Sequence, residues 1–136
     1  MGSRRKSREA ALKILYAMDG SGHSAEQALA AYFDYFAEEG ETVDFTDELV
    51  RGVERELPAL DEKIRAASQN WRLERMARVD RNILRLATYE LFHVPSVPRR
   101  VSLNEAIELG KRYGAEDSAA FVNGILDRIA AGVTKD

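Results

Sequence analysis

Arg5, Arg8, Lys13 and Tyr16 open the chain with residue types that could do chemistry. Tyr16 follows Arg5 by 11 residues, about three helical turns, so on a helix the two align within roughly 20°. The ring is then displaced from the apolar stripe of Ala11, Ile14, Leu15 and Met18 and set beside Arg5, Arg8, Glu9 and Lys13. Cations around an aromatic ring suit a single strand of nucleic acid, whose phosphates are neutralised while a base stacks. The same position suits a boundary tyrosine that packs on a neighbouring helix and keeps its hydroxyl in water. The helix alone leaves both readings open. Near the far end, Phe121 points about 100° away from the apolar Val122. Asp117 precedes it by four residues and shares that partly solvent-facing side.

Other chemistries lack their residues. The chain has no cysteine, which excludes disulfides, thiolate metal sites and cysteine nucleophiles together. His23 and His93 each stand next to a turn without a matching partner motif and read as surface histidines. No phosphate-cradling glycine loop, HExxH pattern or nucleophile elbow is present. The carboxylates are scattered over helix surfaces. Neither catalysis nor a metal or cofactor is expected.

The elements that must position these residues are helical. Val79–Phe92 is the segment whose apolar positions nearly encircle a helix, with Arg81, Arg85 and Thr88 left as a narrow polar stripe, and it reads as the hub of the domain. Asp80 and Glu90 fall on its covered side and need an arginine, a helix N-terminus or residual solvent. A first helix is expected from Ser3 to Asp19, stopping at Gly20. Ser24 and Gln27 form a capping box for a second, ended by Gly40. Glu41–Thr46 reads as a polar loop, and Phe45, Leu49, Val53 and Leu57 mark a third helix. Pro58 opens a fourth in this reading, burying Leu60, Ile64, Ala67 and Trp71. After the hub and the stiff Val94–Pro98 connector, Ser102 and Glu105 read as a capping box for a sixth helix that stops at Gly114. A seventh begins near Asp117. The result is an all-α fold of about seven helices in a chain of 136 residues.

No run approaches a membrane span, and no apolar segment of the signal-peptide kind follows the basic start, so a cytoplasmic location is expected. The net charge of −3 divides unevenly: residues 1–13 carry +4 and the remainder −7. An acidic domain fails the global test for a nucleic-acid binder. A concentrated basic end that includes Arg4 and Lys6 can still act locally, because screening limits each charge to roughly 8–10 Å.

Several stretches taken together closely resemble the bacterial transcription antitermination factor family NusB. They are RRKSREAALKILYAM, FTDELVRGV, RVDRNILRLATYEL and VSLNEAIELGKRYGAEDSAAFVNGILD, in the family's order and over nearly the whole chain. NEAIEL followed by the Lys-Arg-Tyr-Gly turn and FVNG is the most specific part. The resemblance implies two roughly perpendicular helical bundles, about 1–57 and 58–136, and no catalysis. It implies binding of boxA-type single-stranded RNA from ribosomal RNA leaders together with NusE, the small-subunit ribosomal protein. It also implies assembly with RNA polymerase in antitermination and ribosomal RNA maturation.

By position, the RNA surface would join Arg4, Arg5, Lys6, Arg8, Lys13 and Tyr16 to Asp117, Ser118 and Phe121. Asp117 would accept from a base amino group, cap the last helix, or do both. Glu74 and Asp80 would meet NusE. The sequence departs from the pattern in two places: Ala119 and Ala120 stand where relatives often carry polar or basic residues, and Gly110 replaces a more usual alanine inside a helix. Two other classes compete. One is an accessory module like the N-terminal domain of ribosomal RNA cytosine methyltransferases, although no cofactor domain is present in the chain. The other is a protein-interaction scaffold, with a homodimer among its forms.

Overall fold

Apolar residues at helical spacing across the chain produce helices and no strand in the computed structural model, which describes residues 2–136. In order these are α1 (Gly2–Ser21), α2 (Ala25–Tyr35), α3 (Glu41–Ala67), α4 (Arg78–His93), α5 (Arg99–Tyr113) and α6 (Ser118–Ala130). A short 3-10 turn, Leu73–Arg75, leads into α4. None of these helices is long and apolar enough to cross a membrane.

The hub is α4, which packs against α1, α3, α5 and α6. Ile83, Leu84, Leu86 and Leu91 on it are each at most 1% exposed. Its polar stripe does not face water. Arg81 and Arg85 both reach Asp19 at the end of α1, at 2.9 and 3.3 Å, and Arg85 also grips Asp61 of α3 at 2.9 and 3.1 Å. Of the two covered carboxylates, Glu90 meets an arginine, whereas Asp80 makes no ion pair among the described residues and has only its place in the first turn of α4, where the helix dipole favours it.

Three helix boundaries differ from the expected ones. The third and fourth helices are one, because Pro58 lies inside α3 rather than at a start. Pro58 and Glu54, whose carbonyl loses its donor, are both exposed residues, so the proline falls on the solvent side of α3 rather than in the core. α3 therefore runs through the expected junction at 57/58. Gly40, with φ of 67°, sits at the start of α3 instead of ending α2, and the whole of the expected 41–46 loop is helix. Finally, α5 starts at Arg99, with Pro98 offering its carbonyl to Val101 and Ser102. Ser102 and Glu105 are thus interior positions whose side chains bind elsewhere. The Ser24–Gln27 capping box is present as expected.

Two glycines mark close helix crossings. A Cβ on Gly52 of α3 would lie 2.1 Å from the Tyr89 ring of α4, which is itself buried. Gly52→Ala is expected to lower stability by about 1–3 kcal/mol through overpacking, read from the urea midpoint; wild-type stability would contradict this crossing. At Gly110 of α5, a Cβ would stand 3.1 Å from the Ala119 Cα of α6. Close packing thus explains both the Gly110 departure and the small residue facing it.

Candidate nucleic-acid interface

The polar edge of α1 forms a row of contacts along α5. Arg5 makes two hydrogen bonds to Glu105, at 3.1 and 2.8 Å. Glu9 accepts from Arg112 at 2.8 Å. The Lys13 ammonium stands 5.6 Å from the Tyr113 ring. One turn further, Tyr16 is 41% exposed, with the Arg78 guanidinium 4.8 Å above its ring. Arg78 comes from the first position of α4 and packs over Gly20. Sequence reasoning missed it, because nothing in the spacing of residues 16 and 78 shows that they meet.

The α5–α6 corner, which follows Tyr113 in the chain, carries the other residues expected on the RNA surface. Asp117 is exposed and precedes α6, but its side chain makes no capping hydrogen bond, so its carboxylate remains available to a ligand. Ser118, the first residue of α6, is buried, and its hydroxyl accepts from the Ala115 N–H at 2.8 Å, which pins the preceding turn rather than capping the helix. Phe121 is partly exposed, and Trp71 meets it edge-to-face at 5.6 Å. The expected burial of Trp71 is corrected. It lies outside the helix, in the loop after α3, and is 59% exposed.

The basic end is less free than its composition implies. Arg8 is 4% exposed, and its guanidinium is held by Glu90 through hydrogen bonds of 2.8 and 2.7 Å. Its expected place on an RNA surface is corrected, since reaching a phosphate would mean abandoning that pair. Ser118 is corrected likewise by its inward hydroxyl. Arg4 stacks on Phe45 at 4.0 Å, and Arg5 is shared with Glu105. Lys6 and Lys13 are exposed. The positive charge of α1 thus largely holds α1 to its neighbours.

The Arg5 hydrogen bonds hold the Glu105 carboxyl below its ordinary 4.5, against burial that pushes it up. Burial also pushes Asp19 up, but Asn82, Arg81 and Arg85 together bring it below 3.8. A carboxyl lowered by folding stabilises the fold above its unfolded value, and this is lost as pH falls through the folded value. Thermal stability should therefore drop on acidification below about pH 4.5, and Arg5→Met should flatten that drop. Identical acid limbs in the two proteins would remove the Arg5–Glu105 pair from the account.

Glu74 lies on the 3-10 turn with its side chain 69% exposed and 3.5 Å from Arg65. Its own backbone N–H is the main reason its carboxyl is lowered. Asp80 is covered by the chain itself, and its Oδ1 has no hydrogen-bond partner among the described residues. No group of three metal-ligating side chains gathers among the described residues.

Exposed rings, neighbouring cations and an unengaged carboxylate on a helical frame are the features of a binding surface. The chain belongs to the NusB family, whose model matches residues 5–131. It is 55% identical over 130 residues to the transcription antitermination protein NusB of Sorangium cellulosum (strain So ce56), covering 96% of this chain and 93% of that one. With the NusB of Anaeromyxobacter dehalogenans (strain 2CP-1 / ATCC BAA-258) the identity is 51% over 135 residues, covering 98% and 94%. The structure superposes on T. maritima NusB with a TM-score of 0.89 at 40% identity, over 96% of this chain and 92% of that one. It also matches a chain in the crystal structure of antitermination factors NusB and NusE in complex with dsRNA. There the TM-score is 0.87 at 25% identity, with coverages of 96% and 98%.

Proposed function

We propose that this protein is a non-catalytic antitermination factor that binds boxA-type single-stranded RNA of ribosomal leaders together with NusE, in the cytoplasm and in association with RNA polymerase. The observation that carries this reading is the uncovered row from Lys13 and Tyr16, past Tyr113, to Asp117 and Phe121. Stacking on Tyr16 and Phe121 requires unpaired bases, because paired bases present only their edges in a groove. In this reading the exposed Asp117 accepts from a base amino group. Lys6, Lys13 and Arg78 meet phosphates in this reading, and Arg4 and Arg5 join them as outer contacts. The complex of NusB and NusE with dsRNA supports NusE and RNA as partners, while the preference for an unpaired strand rests on the exposed rings of this chain. Glu74 and Asp80 belong to the NusE side of this proposal, and a division into N- and C-terminal bundles joined by α3 is part of it.

The test is a titration with labelled boxA-type RNA, its complementary duplex and a scrambled strand, alone and with NusE, over a range of salt. The single boxA strand should bind more tightly than the other two, NusE should strengthen binding, and affinity should fall as salt rises. Equal affinity for strand and duplex, or no binding with NusE present, would reject the proposal.

A further inference from the structure

The loop that follows α3 holds a second aromatic platform that the row above does not use. Trp71 is the chain's single tryptophan. It is 59% exposed although Leu73 and Met76, just after it, are buried. Its backbone is pinned from two sides. The Trp71 N–H donates to the Ser68 carbonyl at 2.8 Å, while the Ser68 hydroxyl bonds the carbonyls of Ile64 and Trp71 at 2.7 and 3.3 Å. Arg128 of α6 donates to the Ala67 carbonyl at 2.7 Å, fixing the loop to the helix that carries Phe121. An exposed ring on a backbone already held in place has little freedom left to lose when a ligand stacks on it.

Beside Trp71 and Phe121 lies an open cleft of about 280 Å³, with Gln69, Asn70 and Arg128 on its walls. Gly124 also lines it, and a Cβ there would meet nothing within 4 Å, so the cleft is not closed from the α6 side. Its chemistry is that of a base subsite: a flat apolar surface for stacking, two amides that each offer donor and acceptor, and a guanidinium for a phosphate. A site for an aliphatic ligand would not need the amides, and a simple anion site would not need the indole.

We propose that Trp71 and Phe121 bound a nucleobase subsite, so that the RNA continues past Phe121 and places one further unpaired base on the indole. Gln69 and Asn70 meet the edge of that base, and Arg128 meets the adjoining phosphate. This rests on the RNA reading given above and lengthens its footprint beyond Asp117 and Phe121.

Because Trp71 is the only indole, its fluorescence reports on the subsite directly. Titrating the intact protein, with NusE present, with boxA-type single-stranded RNA should quench Trp71 emission in parallel with binding measured by labelled RNA. Trp71→Ala should weaken binding roughly 5- to 150-fold with unchanged helicity, and Trp71→Phe should retain most of the affinity. Tight RNA binding with unchanged emission would overturn the subsite and leave the RNA reading standing, whatever Trp71→Ala does to affinity. Wild-type affinity in Trp71→Ala would overturn it in the same way. RNA that fails to bind at all would reject both together.

Discussion

Arg8→Ala is expected to remove about 3–5 kcal/mol of folding stability, seen as a lower urea midpoint. The reason is the company Arg8 keeps. Its guanidinium meets both oxygens of Glu90, which is 2% exposed and also accepts from Ser102 at 3.0 Å. Lys135 closes the cluster from the C-terminal tail, donating to the Glu90 carbonyl at 2.9 Å, with the Ser102 hydroxyl 3.3 Å away. One buried pair therefore ties α1 to α4, α5 and the chain end. Removing the arginine leaves a carboxylate buried without its counter-charge, and that desolvation dominates the loss. Replacing both partners by Arg8→Met and Glu90→Leu should recover much of the stability, since apolar groups leave nothing uncompensated. A singly substituted Arg8→Ala protein that keeps its midpoint but loses RNA would reverse this reading and return Arg8 to the RNA surface.

The second large effect concerns binding. Tyr16→Ala combined with Phe121→Ala should weaken boxA-type RNA by about 2–6 kcal/mol, the sum of two stacking losses. Additivity is reasonable because the rings touch different neighbours: Tyr16 lies under Arg78, and Phe121 meets Trp71. Neither ring is fully buried, so stability should change far less than affinity. The measurement is anisotropy of labelled RNA at fixed salt, with circular dichroism as the control on folding. A single substitution that removes all binding would indicate that one ring carries the strand alone, and no loss in the double variant would dismiss the stacking surface.

How much of this was legible in the sequence depended on whether the signal was local. The hub was plain in Val79–Phe92, because a helix apolar on so many sides has to be enclosed. The Ser24 cap was plain because its two partners are three residues apart. The displacement of Tyr16 from the core stripe also followed from spacing alone. What failed was what depends on distant residues. Pro58 marks a helix start by local rule, yet α3 continues through it, with the proline on the helix's exposed side. Ser102 and Glu105 have the spacing of a capping box, but Glu90 and Arg5, many residues away, take their side chains. The basic start looked free because no pattern reveals that Arg8 meets Glu90, 82 residues later. Helical spacing extended past Ala67, where α3 ends, sets Trp71 on a buried side that the loop does not preserve.

RNA is expected on the row from Lys13 and Tyr16 to Phe121 rather than on the chain's other exposed aromatic cluster. That competitor is the end of α2, where Tyr35 and Phe36 are 84% and 46% exposed and Asp34, Glu38 and Glu39 crowd them with negative charge. Chemical-shift mapping of the labelled protein during titration with boxA-type single-stranded RNA decides between them. Perturbations concentrated at Lys13, Tyr16, Arg78, Asp117 and Phe121 are the predicted result, and perturbations confined to Tyr32–Glu39 would contradict the account.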